Sequence, residues 1–182
     1  MIMRVCFEEY RSTLLSLSML ESEKFLLASI KNQKLSFFQE GKFKRDYIMS
    51  SSAKPPSCTE NSLGTPWGLH EICEKIGDGE PLGTVFIGRK SQNKTFLQYS
   101  SEIQNENLIT TRILRLKGLQ EGINRGGDKD SFSRYIYIHG TNHEKRLGQP
   151  ASSGCLQLSN INMLQLFDLV EVGTHLWIGE LD

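Results

Sequence analysis

Cysteine is sparse in this sequence, and none of it is arranged for metal or redox work. The four thiols, Cys6, Cys58, Cys73 and Cys155, include no C-x-x-C pair, which argues against a zinc ribbon or a thioredoxin-type site. A Cys58–Cys73 disulfide is left open, and Cys6, Cys58 and Cys73 read most simply as small buried apolar residues. Neither sign of charge is in excess, with 21 Lys plus Arg against 21 Asp plus Glu. Nothing electrostatic therefore points to nucleic acid or an anionic membrane as the main partner. Long apolar runs are also lacking, and none approaches the roughly 20 residues that span a bilayer. The segment Leu14–Leu20, LLSLSML, would make a weak export signal. Glu8 and Glu9 precede it where a basic region belongs, and no A-x-A-like cleavage site follows. The expectation is that the protein stays inside, or that its export segment is absent from this chain or unconventional.

What is present suits a single soluble globular domain: 182 residues, 38% apolar and 23% charged. Phe7, Tyr10, Leu14 and Leu17 fall at helical spacing, so the pattern predicts an amphipathic helix over 7–20. From Lys24 the period changes. Three short β-type runs, Phe25–Ile30, Lys34–Gln39 and Phe43–Met49, are broken by KNQK and QEGK and read as a meander. A Ser-, Pro- and Gly-rich stretch from Ser50 to Gly68 reads as loop. Strands are predicted at Thr84–Ile87, in ILRLKGLQ, in RYIYIHG and in THLWI. A helix with Ser159 or Asn160 as its cap is predicted after Cys155, burying Leu164, Phe167 and Val170 and ending at Gly173. The fold class is mainly β, a β-rich α+β chain with one or two helices packed on a sheet.

One stretch can carry chemistry. In YIYIHGTNHEKRLGQPASSGCLQLSN, alternation places Tyr135, Tyr137 and His139 on one strand face, and a glycine-containing loop leads on to Cys155. A free thiol near pKa ~8.5 is only slightly ionised at neutral pH, and an adjacent imidazole that takes its proton makes it a strong nucleophile. Gly154 would let a substrate approach the backbone, whose N–H groups could face a developing oxyanion. On these residues alone, an ordinary strand, loop and buried thiol explain the pattern as well. The other polar residues read more plainly. His139 and His143 form H-x-x-x-H but lack the helix that a metal pair needs. His70 could line a pocket or be structural, and His175 reads as structural. GINRGGDKD lacks the context of a phosphate loop and reads as a surface loop, a candidate lid. Trp67 and Trp177 read as core or rim aromatics.

The segment HGT followed by LGQPASSGCLQLSN resembles the signature of the L,D-transpeptidase (YkuD) family of cell-wall enzymes. There a His–Gly or His–Ser at a strand end precedes [S/T]-H-G-C-[I/L]-R-[L/M]-x-N. FLLASIKNQKLSFFQEGK is similar to the family's opening strands. GTPWGLHEICEKIGDGEPLGTVFIGR is similar to its T-P-x-G segment and the strand after it, and LFDLVEVGTHLWI to its closing helix and strand. The resemblance covers Lys24 to Ile178. It implies a sandwich-like catalytic domain over 23–182 preceded by a helical extension over 1–22.

It also implies roles at matching positions. Cys155 would be the nucleophile, His139 the general base and later acid, and the Gly140 carbonyl the group that orients the imidazole. The N–H groups of Gly154 and Cys155 would hold the oxyanion. Ser152, Ser153, Gln157, Tyr137 and Arg134 would surround the reacting centre, and Asn160 would cap the next helix and brace the motif. Two positions depart from the signature. Ser153 stands for the usual His and Gln157 for the usual Arg, which removes an imidazole and a permanent charge from beside the thiol. His143, Arg112 and Arg134 are the candidates to replace that charge. The implied substrate is a peptidoglycan stem peptide, the implied compartment the cell envelope or periplasm, and no metal or organic cofactor is called for. Transpeptidation is the leading expectation. L,D-carboxypeptidase trimming and a catalytically silent wall-binding relative are the alternatives.

Overall fold

The computed structural model describes residues 2–179 and, in the first helix, side chains from Phe7 onward. Cys6, expected to be a buried apolar residue, lies outside the described side chains. Helix α1 (Ile2–Ser16) leads into the meander β1 (Lys24–Ser29), β2 (Lys34–Gln39) and β3 (Lys42–Ile48), close to the runs read from the sequence. Then follow β4 (Gly68–Ile76), the hairpin β5 (Thr84–Ile87) and β6 (Lys90–Thr95), the short α2 (Ser101–Gln104), and β7 (Ile109–Gly118). The chain closes with β8 (Tyr137–Thr141), β9 (Leu156–Leu158), α3 (Asn160–Leu169) and β10 (His175–Gly179).

The described strands form one sheet in the order β3-β2-β1-β10-β4-β7, continuing from β7 to the β5-β6 hairpin and, along its other edge, to β8 and β9. The sheet curls back on itself. Ser50, just past β3, exchanges both backbone hydrogen bonds with Gln157 of β9, at 3.0 and 2.8 Å. Ser52 then bridges Ser152. The two layers of the expected sandwich are thus the two halves of one closed sheet, an arrangement that leaves few free edges.

Alternation decides what fills the curl. Leu26, Phe37, Ile72, Leu114, Ile138, Leu156, Leu158 and Ile178 point inward, together with Met163, Leu166 and Phe167 of α3 and Val170 at its C-terminal cap. Leu164, expected in the buried stripe of α3, is half-buried, and Met163 and Leu166 take its place. Of the two expected caps, Ser159 is the one used, its hydroxyl accepting the Asn162 N–H at 3.2 Å. On the outside, α1 lays Tyr10 and Leu14 over Phe25, Leu27, Phe38, Leu69 and Trp177. That helix covers the outer face of β1, β10 and β4 and reaches Phe38 of β2. The outer face of β7, β8 and β9 bears a separate small cluster with Cys155 at its margin.

Candidate active site

His139 and Cys155 reach the same side of the sheet by register. β8 and β9 run parallel, with Ile138 opposite Leu156 and His139 opposite Gln157. Ile138 and Leu156 point into the core, so by the two-residue period His139, Gln157, Tyr137 and Cys155 point outward. Cys155 precedes β9 and lies beside Tyr137, one diagonal step from His139. His139 sits in the middle of β8 rather than at its end.

The imidazole is fixed from one side. Its Nδ1 lies 2.7 Å from the Gly140 carbonyl. A carbonyl only accepts, so Nδ1 carries the proton and Nε2 keeps a lone pair. Burial pulls the His139 pKa down to about 4, against a smaller upward pull from that carbonyl. The ring is neutral at physiological pH.

Gly140 cannot be replaced without displacing its neighbours. A Cβ there would come within 2.7 Å of the Thr110 carbonyl and 2.9 Å of Asn160 Oδ1. Asn160 is the brace. Its Oδ1 accepts from the Thr110 and Thr111 hydroxyls, and its Nδ2 donates to the Thr141 carbonyl and the Glu144 carboxylate. Both threonines reach it because β7 bulges between Thr110 and Ile113, with Thr111 at φ +69°. Asn160 is therefore the first helical residue and a cross-brace, while the cap it was expected to supply comes from Ser159.

The thiol faces a different partner. Cys155 Sγ donates to the Tyr135 carbonyl at 3.6 Å, and no hydrogen bond joins it to His139 among the described residues. Burial against Phe86, Ile113 and Tyr137 pushes the thiol up to about 11, outweighing the Tyr137 backbone and the charge of Arg134, which both favour the anion. The resting pair is thus a neutral thiol and a neutral imidazole. Tyr135, more than half exposed, holds its carbonyl toward the sulfur at φ +57°, a conformation uncommon for a bulky side chain.

The turn before Cys155 is tied down by Ser152, which donates from Oγ to the Cys155 carbonyl at 2.6 Å and accepts from the Gly154 N–H at 3.2 Å. Gly154 has φ +125°, and a Cβ there would press on Ile136, so the turn requires glycine. Ser153 is exposed and lines a cavity of about 250 Å³ with Glu60, Asn61, Leu63, Arg134 and Tyr135. Arg134 anchors the wall of that cavity, donating to the carbonyls of Ser57 and Gly64 at 2.9 and 2.8 Å and to the Ser62 hydroxyl.

Gln157 is buried and donates to Asn107 Oδ1 at 2.9 Å. Of the candidates to replace its missing charge, Arg134 alone acts on the thiol, its charge favouring the anion. Arg112 bonds to the Glu80 and Thr111 carbonyls and stacks on Phe167, while His143 bonds to Asn105.

The remaining residues settle simply. His70 is wholly buried between the Gly68 carbonyl and Ser131 Oγ, and burial pulls its pKa down to about 4. His175 meets the Tyr10 hydroxyl under α1. Cys58 and Cys73 are both free thiols. Among the described residues no helix is long and apolar enough to cross a membrane. Sequence reasoning missed Arg89, which donates to the Tyr137 hydroxyl at 3.2 Å, and the Glu74–Arg115 pair at 3.2 Å. The first had a signal, since Gly88-Arg89 between two β-type runs has the form of a two-residue hairpin turn.

The L,D-transpeptidase catalytic domain model of the YkuD family matches residues 23–178. The Bacillus subtilis protein YqjB, named a presumptive L,D-transpeptidase, is 38% identical over 52 residues, 29% of this chain and 30% of that protein. Among solved structures, an L,D-transpeptidase from Mycobacterium smegmatis aligns at a TM-score of 0.51 and 17% identity, covering 86% of this chain and 58% of that one. L,D-transpeptidase 3 from Mycobacterium tuberculosis, with a faropenem-derived adduct, aligns at 0.55 and 14% identity, covering 87% and 60%. The chain thus spans about three-fifths of these solved proteins, and its likeness to them is one of fold. A match across nearly the whole curled sheet, with the motif turn inside it, leads to one conclusion: the chain belongs to the YkuD family of L,D-transpeptidase catalytic domains.

Proposed function

We propose that this protein is a cysteine acyltransferase of the cell envelope that crosslinks peptidoglycan stem peptides. The observation that carries the reading is the placement of Cys155 and His139 on one face of β8 and β9, away from the hydrocarbon core, with the His139 proton fixed on Nδ1 by Gly140. Nε2 is left as the base.

The resting thiol points to Tyr135, so the first event is rotation of Cys155 toward Nε2. Hydrogen bonds of this kind tighten only when substrate is bound. The Sγ–H proton passes to Nε2 as sulfur attacks the carbonyl carbon between diaminopimelate and the terminal D-alanine of a tetrapeptide stem. The Cys155 N–H, joined by that of Gly154 once it is released from Ser152, faces the oxyanion. The C–N bond breaks, the proton on Nε2 goes to the departing amine, and a thioester remains on Cys155. The amine of a second stem attacks it, gives a proton to His139 and expels sulfur, which recovers that proton. No metal or organic cofactor enters any of these steps.

Hydrolysis of the same thioester, an L,D-carboxypeptidase outcome, is the second reading. It is favoured by the exposed Ser153 at the mouth of the site, which leaves the approach open to water. Incubating the protein with a defined tetrapeptide muropeptide and weighing the products by mass spectrometry decides the matter. Crosslinked dimers support transfer, and tripeptide alone supports trimming. The absence of both products would overturn both readings and leave a silent wall-binding domain, and products that persist in Cys155→Ala would overturn Cys155 as the nucleophile.

A further inference from the structure

Three arginines stand by Cys155 or by the tyrosines that flank it, and their charges are committed differently. Arg134 is spent on the Ser57 and Gly64 carbonyls and the Ser62 hydroxyl. Arg115 stacks 3.4 Å above Phe132, donates to its carbonyl and pairs with Glu74. Arg89 differs from both. It sits at the tip of the β5–β6 hairpin, where Gly88 and Arg89 have φ of +55° and +67°, the signs of a type I′ turn.

That turn returns the side chain over the site. Its guanidinium lies 5.1 Å from the Tyr135 ring centre, and Nη1 donates to the Tyr137 hydroxyl at 3.2 Å. These are the two residues that flank the sulfur. Tyr135 accepts the Sγ–H bond, and Tyr137 is the neighbour of Cys155 across the sheet. Among the described residues no carboxylate lies within ion-pair distance of Arg89. A guanidinium carries five N–H donors in a rigid fork matched to a carboxylate, and the Tyr137 hydroxyl takes one of them. The group is therefore half-exposed, held in place and positively charged, over the two tyrosines that flank Cys155.

We infer that Arg89 is the specificity-determining residue of the donor site and binds a free carboxylate of the peptide that acylates Cys155. The inference rests on the acyl-transfer reading for the identity of that peptide. Two carboxylates of a tetrapeptide stem qualify: the one on the diaminopimelate side chain and the one at the C-terminus. Bidentate, charge-assisted recognition makes the loss of either readable.

The test is binding without turnover. Calorimetry on Cys155→Ala would compare three tetrapeptides: unmodified, amidated on the diaminopimelate side chain, and amidated at the C-terminus. The inference predicts that one amidation weakens binding about tenfold and so identifies the carboxylate. In Cys155→Ala/Arg89→Gln the unmodified peptide should bind at that weakened level, amidation should have no further effect, and Arg89→Lys should restore part of the difference. Circular dichroism identical to the parent would show that the fold is kept. Absence of binding to Cys155→Ala, equal affinity for all three peptides, or discrimination that survives Arg89→Gln would overturn the inference. Product analysis on the wild type is a separate readout. Arg89-dependent discrimination with no thioester would retain this site and remove the transferase reading, while turnover with binding indifferent to Arg89 would do the reverse.

Discussion

The inner and outer faces of β7, β8 and β9 share one backbone and do opposite work. Inward, Leu114, Leu116, Ile138, Leu156 and Leu158 present only hydrocarbon and are fully buried. Outward, the alternate residues Ile113, Arg115, Tyr137, His139, Cys155 and Gln157 mix rings, charges and a thiol. A strand period of two lets a single rigid layer pack on one side and position reactive groups on the other. Loss of an inner side chain should therefore register as stability, and loss of an outer one as chemistry.

Substitution of neighbours on opposite faces tests that division most strongly. Cys155→Ala should lower turnover of a tetrapeptide stem by at least about a thousandfold, as loss of a nucleophile does, while changing unfolding free energy by less than about 1 kcal/mol. His139→Gln should lower turnover by about 10²–10⁴, the range of a general acid–base group, with circular dichroism unchanged. Leu156→Ala, adjacent to Cys155 but facing inward, should lower stability by about 2–5 kcal/mol in a urea titration. If instead Leu156→Ala were neutral and Cys155→Ala unfolded the chain, the two faces would have been assigned the wrong way round.

Asn160→Ala lies between the faces. It leaves the Thr110 and Thr111 hydroxyls and the Thr141 carbonyl without their shared partner, at a cost of about 1–3 kcal/mol. Activity should fall more than stability, because Gly140 and with it His139 lose their backing.

Acid gives the most graded effect. The folded chain keeps His70 and His139 neutral down to about 4, whereas an unfolded histidine takes up a proton near pH ~6.5. Below that point the unfolded state binds more protons. The stability from both groups is complete above about pH 6.5 and is lost as pH falls toward 4. Melting temperature should drop across that window, and His139→Gln should remove part of the slope.

Strand patterning made most of this fold legible in the sequence. β2 and β5 follow from alternation and turn residues at their stated bounds, and β1, β3 and β10 nearly so. β6, KSQNKT, is polar throughout and has no buried residue, so its pairing with β5 leaves no apolar signal to read. β9 is three residues long, and only its place between β8 and the Ser50 bridge makes it a strand. In the site, the residue types made Cys155 and His139 candidates, and the family resemblance pointed to them together with Gly140. The Tyr135 carbonyl and the Arg134-anchored wall were not readable in that way, and of Arg89 only the hairpin turn that carries it was. Their roles depend on backbone conformation and on segments far apart in the chain, which no local period encodes.

The account rests on Cys155 forming a thioester with the stem peptide. Its most direct test is intact-protein mass spectrometry after brief exposure to a tetrapeptide donor and acid quench. The account predicts a mass increase equal to the stem acyl group without D-alanine, located by digestion on the peptide containing Cys155 and absent from Cys155→Ala. Release of D-alanine without such an adduct on Cys155, or an adduct on another residue, would contradict it.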